Sequence, residues 1–251
     1  MLNTEGVFLE YKAATGEVLS YQTVMHSKQK TEENNEEISN TDVVMEMATD
    51  QKVTKVSGNT FDVDVNVTDG FIERNNQRLP LPAIGQTIGM TVEKTGRITR
   101  STVNANINQP VFPSGLQQVG SSWTEIKPLE IPLGDKGQAI TIDLKFEHKL
   151  VALDTEQNYD VAIIETAAGP ISADIKDDIS QSVQVRAKTA FAYNAGQMIS
   201  SHLESKTVVK APDLVLTSVH TIDTVLKSSS SPVIDTPSIA DSAFIINPFL
   251  S

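Results

Sequence analysis

The chain contains no cysteine in its 251 residues. Disulfide bonds, zinc or iron–sulfur sites with cysteine ligands, a cysteine nucleophile and lipid attachment through cysteine are therefore excluded for this sequence. No apolar run approaches the ~18 residues that a transmembrane helix needs, so we predict no transmembrane segment. The opening stretch MLNTEGVFLEYK has an acid at Glu5 and lacks the apolar core of a signal peptide. We expect either a cytoplasmic protein or a mature form without its leader.

Positive charge and aromatic residues are also scarce. Lys and Arg number 20 against 32 Asp and Glu, which gives a formal charge of −12, and aromatics make up 5%. Nucleic acids and anionic membranes attract basic surfaces, so neither is expected as a partner. Hydrophobic residues reach 39%, which is lean but globular. The length suits one large domain or two small ones.

Motifs of catalysis are missing as well. The four histidines are isolated in the sequence, and there is no HExxH, G-x-S-x-G, P-loop or G-x-G-x-x-G. We predict no catalytic residue, no metal site and no cofactor, and we expect a protein that is not an enzyme. DVDVNVTDGFIE (62–73) places acids as in a calcium loop, but Val67 stands where that loop needs glycine. The alternating valines of this stretch favour an extended strand instead, with the acidic side chains on its solvated face.

The pattern of apolar and polar residues along the chain is typical of β-structure. In TFDVDVNV (60–67) and AITIDLKFEHKL (139–150) apolar and polar residues alternate with period two, which is typical of half-buried strands. Glycine-centred turns separate such runs, and we predict a hairpin at each of four glycines, with the glycine at positive φ. These are Gly16, Gly70, Gly96 and Gly196. The predicted fold class is all-β and mainly antiparallel, with few or no helices.

Two pairs of similar stretches indicate an internal duplication. FDVDVNVTDGFI begins at Phe61 and YDVAIIETAAGPI at Tyr159, and the turns around Gly96 and Gly196 follow at nearly the same spacing. The alternative is that β-meanders resemble one another by composition alone. We predict two repeated curved β-sheet or half-barrel units. Their bounds are 1–108 and 126–227, with a connecting segment at 109–125 and a linker and tail at 228–251.

The connecting segment holds the only tryptophan, within FPSGLQQVGSSW (112–123). Its prolines and glycines do not suit a central strand. We therefore expect Trp123 to pack the start of the second unit into the junction, the alternative being an exposed tryptophan that contacts a ligand.

KTEENNEEISN (30–40) is polar and acidic, which predicts an exposed hairpin tip. Residues 211–227 fit a helix or a strand, and their Thr and Val content favours a strand.

The last 24 residues differ from the rest. SSSSP (228–232) is typical of a flexible linker, and an apolar tail with β character follows it. This tail either packs on its own domain or adds a β-strand to a neighbouring subunit. The candidate partner-binding residues are Phe244, Ile245, Ile246, Phe249 and Leu250.

The order of several motifs resembles a family of secreted or lipid-anchored bacterial proteins of unknown function. The closest matches are Phe112-Pro113 and the stretch VGSSW (119–123), within a likeness that covers most of residues 6–209. This family looks similar in fold to lipoprotein carriers of the LolA, LolB and LppX type, in which a curved antiparallel sheet surrounds a helix or an apolar cavity. The resemblance implies an extracellular or cell-envelope setting and no catalytic residues. The missing lipid-attachment cysteine and the tail 228–251 depart from it.

Two functions compete at this point. One is a non-enzymatic structural or assembly protein of the cell envelope or exterior, a homo-oligomer whose tail engages a neighbouring copy. The other is a carrier or sensor of a lipid-like apolar ligand on the concave face of a LolA-like sheet, an analogy of fold rather than of site.

Overall fold

The computed structural model describes residues 6–102, 110–133, 138–176 and 178–230. These residues form an all-β protein, as the alternating sequence predicts, and within them no helix is present that could cross a membrane. The first strands are β1 (Val7–Phe8), β2 (Val18–Glu33), β3 (Glu36–Ser57), β4 (Thr60–Arg74), β5 (Gln77–Pro80), β6 (Thr87–Glu93) and β7 (Ile98–Ser101). The others are β8 (Leu116–Gln117), β9 (Ser122–Leu133), β10 (Gln138–Glu156), β11 (Tyr159–Lys176), β12 (Ile179–Ala192), β13 (Gln197–Ala211) and β14 (Leu214–Ser230).

All strands except β1 and β8 belong to one large curved antiparallel sheet of 12 strands, and β1 and β8 pair with each other. The order in the large sheet is β7-β6-β4-β3-β2-β14-β13-β12-β11-β10-β9, with β5 beside β4. Within this sheet the strands thus run from β2, at the middle, outward to β7. It then crosses to the opposite edge at β9 and returns strand by strand to β14, which pairs with β2.

The two stretches on which the duplication was predicted occupy comparable places. FDVDVNVTDGFI lies in β4 and YDVAIIETAAGPI in β11, while Gly96 and Gly196 lie in the turns β6–β7 and β12–β13. Strands from the two halves pair directly, because β2 lies against β14 along almost its whole length. The two predicted units are therefore parts of one continuous sheet. Their boundaries stay a prediction.

Asparagine makes several of the tight turns. Asn34 and Asn35 connect β2 to β3 at positive φ, within the acidic tip predicted to be an exposed hairpin. Asn75 and Asn76 do the same after β4. Type I′ turns need positive φ at both central residues, and asparagine tolerates it better than most residues.

The prediction of a hairpin at Gly70 is wrong. Gly70 lies inside β4, where the strand is irregularly paired with β3, and the reversal comes at the asparagine pair that follows Arg74. A Cβ at this position would come within 2.5 Å of the Glu46 carbonyl oxygen. Glycine is needed here for the close approach of two strands rather than for a turn.

The strand predicted for residues 211–227 is present as β14, and it extends further than expected. Ser228, Ser229 and Ser230 were assigned to a flexible linker, but they pair with Ser20, Leu19 and Val18 of β2. Pairing with a neighbouring strand satisfies their backbone groups and overrides the weak strand preference of serine. The remainder of the linker and the tail, with its five candidate partner-binding residues, lie outside the described residues.

A buried aromatic cluster connects the two halves. Phe191 of β12 is fully buried, and its ring centroid lies 4.5 Å from that of Phe112 and 5.0 Å from that of Tyr11. Trp123 packs edge-on against Phe112 at 6.4 Å and donates a hydrogen bond of 2.8 Å to the Val111 carbonyl. Trp123 therefore packs the start of β9 into the junction, as its position in the sequence predicted.

Candidate functional site

A largely apolar cavity of about 340 Å³ lies on one face of the large sheet. We call this face, which carries Phe61 and Val63, the inner face. Residues 11–13 border it, together with side chains of β2, β3, β4, β6, β13 and β14. Its apolar lining includes Leu19, Val53, Phe61, Val63, Met90 and Val92. Sites for small apolar molecules are typically concave, mostly apolar and a few hundred Å³ in volume, as this cavity is.

The alternating sequence of β4 explains the apolar lining. Phe61, Val63 and Val65 point to the inner face because side chains i and i+2 share one face of a strand. Asp62 and Asp64 point to the opposite face, where Asp62 accepts a hydrogen bond of 2.7 Å from Thr91. The acids examined as a calcium loop thus lie along a strand, and the described residues contain no cluster of three or more metal-ligating side chains.

The segment before β2 closes one side of the cavity. The Lys12 amide donates a hydrogen bond of 3.0 Å to the Gly196 carbonyl, and its ammonium group donates one of 2.9 Å to the Asn194 carbonyl. The Glu17 carboxylate accepts a hydrogen bond of 2.9 Å from the Ala14 amide. One ammonium and one carboxylate thus contribute to the cavity border, and their formal charges cancel.

Tyr21 also lines the cavity and is buried, with 5% exposure. Its hydroxyl donates a hydrogen bond of 3.0 Å to the Met198 carbonyl. Burial, followed by the nearby Glu17 carboxylate, raises the pKa of this phenol well above its ordinary value. Tyr21 therefore stays neutral and contributes a fixed ring and a fixed hydrogen bond to the cavity.

A second polar cluster lies beside Trp123, on the half of the sheet away from the cavity. His148 is buried, stacks on Trp123 with centroids 5.3 Å apart, and makes a hydrogen bond of 2.8 Å between Nδ1 and the Thr166 hydroxyl. Its Nε2 lies 3.5 Å from Oε2 of Glu125, and the Lys127 ammonium lies 3.4 Å from the same oxygen. Burial acts to raise the pKa of Glu125, but His148 and Lys127 outweigh it and the pKa is lowered.

His148 thus lies between an acid and a hydroxyl, with Glu125 at Nε2 and Thr166 at Nδ1 of its ring. The remaining described histidine with a close acidic partner is His202, whose Nδ1 lies 2.7 Å from Asp223 on an exposed face. The hydrogen bond to Asp223, the larger effect, raises the pKa of His202.

Sequence patterns missed both the cavity and the Glu125–His148 contact. The two residues are separated by 23 positions, and the β9–β10 register places His148 opposite Trp123, two residues before Glu125. The cavity combines strands from both ends of the chain, which no local motif encodes. The alternation in β4 was the one available signal, since it marks which face is apolar.

Comparisons with known proteins add little to this geometry. No family model matches the chain, and no curated protein matches it. A solved structure described as lipid–protein interactions in lipovitellin matches 88% of this chain at 9% identity with a TM-score of 0.44. This chain spans only 26% of that one. The translocator domain of the autotransporter NalP from Neisseria meningitidis matches at 8% identity over 85% of this chain and 89% of that chain, with a TM-score of 0.21.

Both TM-scores lie below 0.5, so neither likeness carries an argument about function. The β-rich curved sheet implied by the resemblance to the carrier-like family is present in the chain. Membership of that family stays a prediction.

Proposed function

We propose that this protein is a non-enzymatic carrier or sensor that holds a lipid-like apolar molecule in the cavity on its inner face. The observation that carries the proposal is the cavity itself, about 340 Å³ in volume and lined mainly by aliphatic and aromatic side chains. Burying apolar ligand surface there would stabilise the complex by about 25 cal/mol per Å² removed from water. The extracellular or cell-envelope setting belongs to the same proposal and rests on the family resemblance.

A cavity-filling variant tests this function. Val65 lines the cavity and is half-buried, so the indole in Val65→Trp would occupy space that the ligand needs. Titration with an uncharged fluorescent probe, N-phenyl-1-naphthylamine, is expected to give saturable binding to the unaltered protein. Val65→Trp should weaken that binding at least about tenfold, since overfilling a packed site typically costs about 1–3 kcal/mol.

The matched control is Val219→Trp. Val219 is 39% exposed in β14 and does not line the cavity, so the same substitution there should leave the probe affinity unchanged. Circular dichroism melting of both variants establishes that each is folded. Equal affinities of the two folded variants, or no saturable binding to the unaltered protein, would contradict the proposal.

Subunit assembly is the second candidate function, and an open sheet edge favours it. Among the described strands β9 pairs only with β10, so the other side of β9 is available to a strand from a neighbouring copy. Pro128 and Pro132 have no backbone N–H and therefore cannot donate a hydrogen bond to an added strand. The tail with Phe244, Ile245 and Ile246 is the segment proposed to add there.

Deletion of residues 231–251 tests the assembly function by analytical ultracentrifugation. Oligomers that become monomers on deletion would support it. A monomer in both forms would contradict it and leave the carrier function untouched.

A further inference from the structure

The cavity on the inner face lies beside the C-terminal end of β14. Ser230, the last residue of this strand, is opposite Val18 of β2. Its neighbour Ser229 is opposite Leu19, which lines the cavity, and Glu17, which precedes Val18, lines it as well. Because β14 is antiparallel to β2, its direction at Ser230 is toward the segment that precedes β2 and closes one side of the cavity.

The described part of the sheet provides no partner strand beyond Ser230. Pairing of β14 with β13 ends at Val225, and its pairing with β2 ends where β2 begins, at Val18. Before Val18 the chain is bonded to β3, on the far side of β2, since the Gly16 amide donates a hydrogen bond of 2.8 Å to the Val53 carbonyl. Apolar side chains that follow Ser230 therefore need another surface to cover them.

The tail carries side chains of the kind that the cavity accepts. Residues 243–246 (AFII) are its longest run of apolar residues, and they include no charged group. The cavity lining is mainly aliphatic and aromatic, and the formal charges of Lys12 and Glu17 at its border cancel. Its volume of about 340 Å³ is roughly twice the ~150 Å³ that holds one benzene molecule in an engineered protein cavity. The cavity therefore has room for the side chains of Phe244 and Ile246.

The distance from β14 to the cavity favours the tail of the same chain. Twelve residues, 231–242, separate Ser230 from Ala243, and at about 3.3 Å per residue they span up to about 40 Å. The lining strand farthest from β14 is β6, four strands away, which is about 19 Å at about 4.8 Å per strand. A tethered segment that can span its distance has an effective concentration on the order of millimolar, well above that of a second copy in dilute solution.

We propose that residues 243–246 occupy the cavity of their own chain, with Phe244 and Ile246 against its lining, and that a ligand binds by displacing them. This inference rests on the proposed carrier function and adds its regulation, a competition between tail and ligand. A segment that fills the cavity in about nine molecules of ten lowers the apparent affinity for a ligand about tenfold.

The test compares the binding of N-phenyl-1-naphthylamine to the unaltered protein and to the chain without residues 231–251. The truncated chain should bind the probe about tenfold more tightly, because the competing segment is absent. Combining the truncation with Val65→Trp should abolish this gain, which locates the additional binding in the cavity. A synthetic peptide of residues 241–251 should displace the probe from the truncated chain.

Substitutions in the tail test the same competition without truncation. Phe244→Asp combined with Ile246→Asp places two charges in the run, and burying them in an apolar cavity is costly. This variant should bind the probe as tightly as the truncated chain does. The matched control is Val233→Asp combined with Ile234→Asp, which adds the same two charges to the tail outside residues 243–246. The control should keep the probe affinity of the unaltered protein.

Three outcomes would count against these proposals in different ways. Equal probe affinities of the unaltered and truncated chains refute the competition while the carrier function stands. Equal affinities together with oligomers that become monomers on truncation, measured by analytical ultracentrifugation, refute it in favour of a tail that engages a second copy. If neither chain binds the probe, the carrier function itself fails.

Discussion

The aromatic cluster between the two halves can be tested by Phe191→Ala. Phe191 is fully buried, and its ring contacts those of Phe112 and Tyr11. Removing the ring exposes or leaves void about 150 Å² of apolar surface, which at about 25 cal/mol per Å² amounts to about 4 kcal/mol. Measured losses for buried Phe→Ala substitutions are of the same size, about 3–5 kcal/mol.

The assay is urea unfolding followed by the fluorescence of Trp123, the only tryptophan and a neighbour of Phe112 in the cluster. In a thermal melt of a chain of this length, the same loss of about 4 kcal/mol corresponds to a fall in Tm of roughly 10 °C. The control is Phe8→Ala, because Phe8 is 56% exposed and its loss should cost less than about 1 kcal/mol. A Phe191→Ala variant within about 1 kcal/mol of the unaltered protein would refute the view that this cluster holds the halves together.

Two further predictions concern the polar cluster and the cavity border. Because the folded pKa of Glu125 is lowered, its stabilising contribution is fully present above its unfolded value of about 4.3 and is lost as pH falls through the folded pKa. Glu125→Gln should therefore destabilise the protein by about 1–3 kcal/mol at pH 7 and by less at pH 3 in parallel urea titrations, and a difference independent of pH would contradict this. In Gly196→Ala the new Cβ would lie 2.4 Å from the Lys12 amide nitrogen at a φ of +72°, whereas Gly58→Ala at +60° meets no atom within 4 Å. Thermal melts should show a loss of about 2–3 kcal/mol for the first and about 1 kcal/mol for the second, and equal losses would show that the segment carrying Lys12 is not fixed by this contact.

Strands were predictable where one face is buried. The alternation in β4 and in β10 indicated both the strand and the face that turns inward, because a period of two allows only one set of side chains to reach the core. For β14 the helical spacing of Val215, Val219 and Ile222 competed with its Thr and Val content. Pairing with both β13 and β2 decided in favour of the strand.

Turns and strand ends were predicted less well. Gly70 was taken for a turn because glycine often marks one, whereas the reversal is made by Asn75 and Asn76. Ser228–Ser230 looked like a linker, since serine has little preference for strands, yet β2 provides the hydrogen bonds that extend β14. Both errors arise because a neighbouring strand, distant in sequence, supplies the deciding interaction.

The candidate site lay beyond sequence reasoning for the same reason. Its lining residues come from strands that are far apart in the sequence, such as β4 and β13, and only the order of strands in the sheet brings them to one cavity. The residues that were predicted to bind a partner, from Phe244 to Leu250, lie outside the described residues, and their role stays a prediction.

Native mass spectrometry of the protein isolated from its source tests the central claim most directly. The account predicts a species heavier than the polypeptide by the mass of one lipid-like apolar molecule, and it predicts that this species is depleted in Val65→Trp relative to Val219→Trp prepared in the same way. A bare polypeptide mass in all three preparations, from protein that also fails to bind N-phenyl-1-naphthylamine, would contradict the claim.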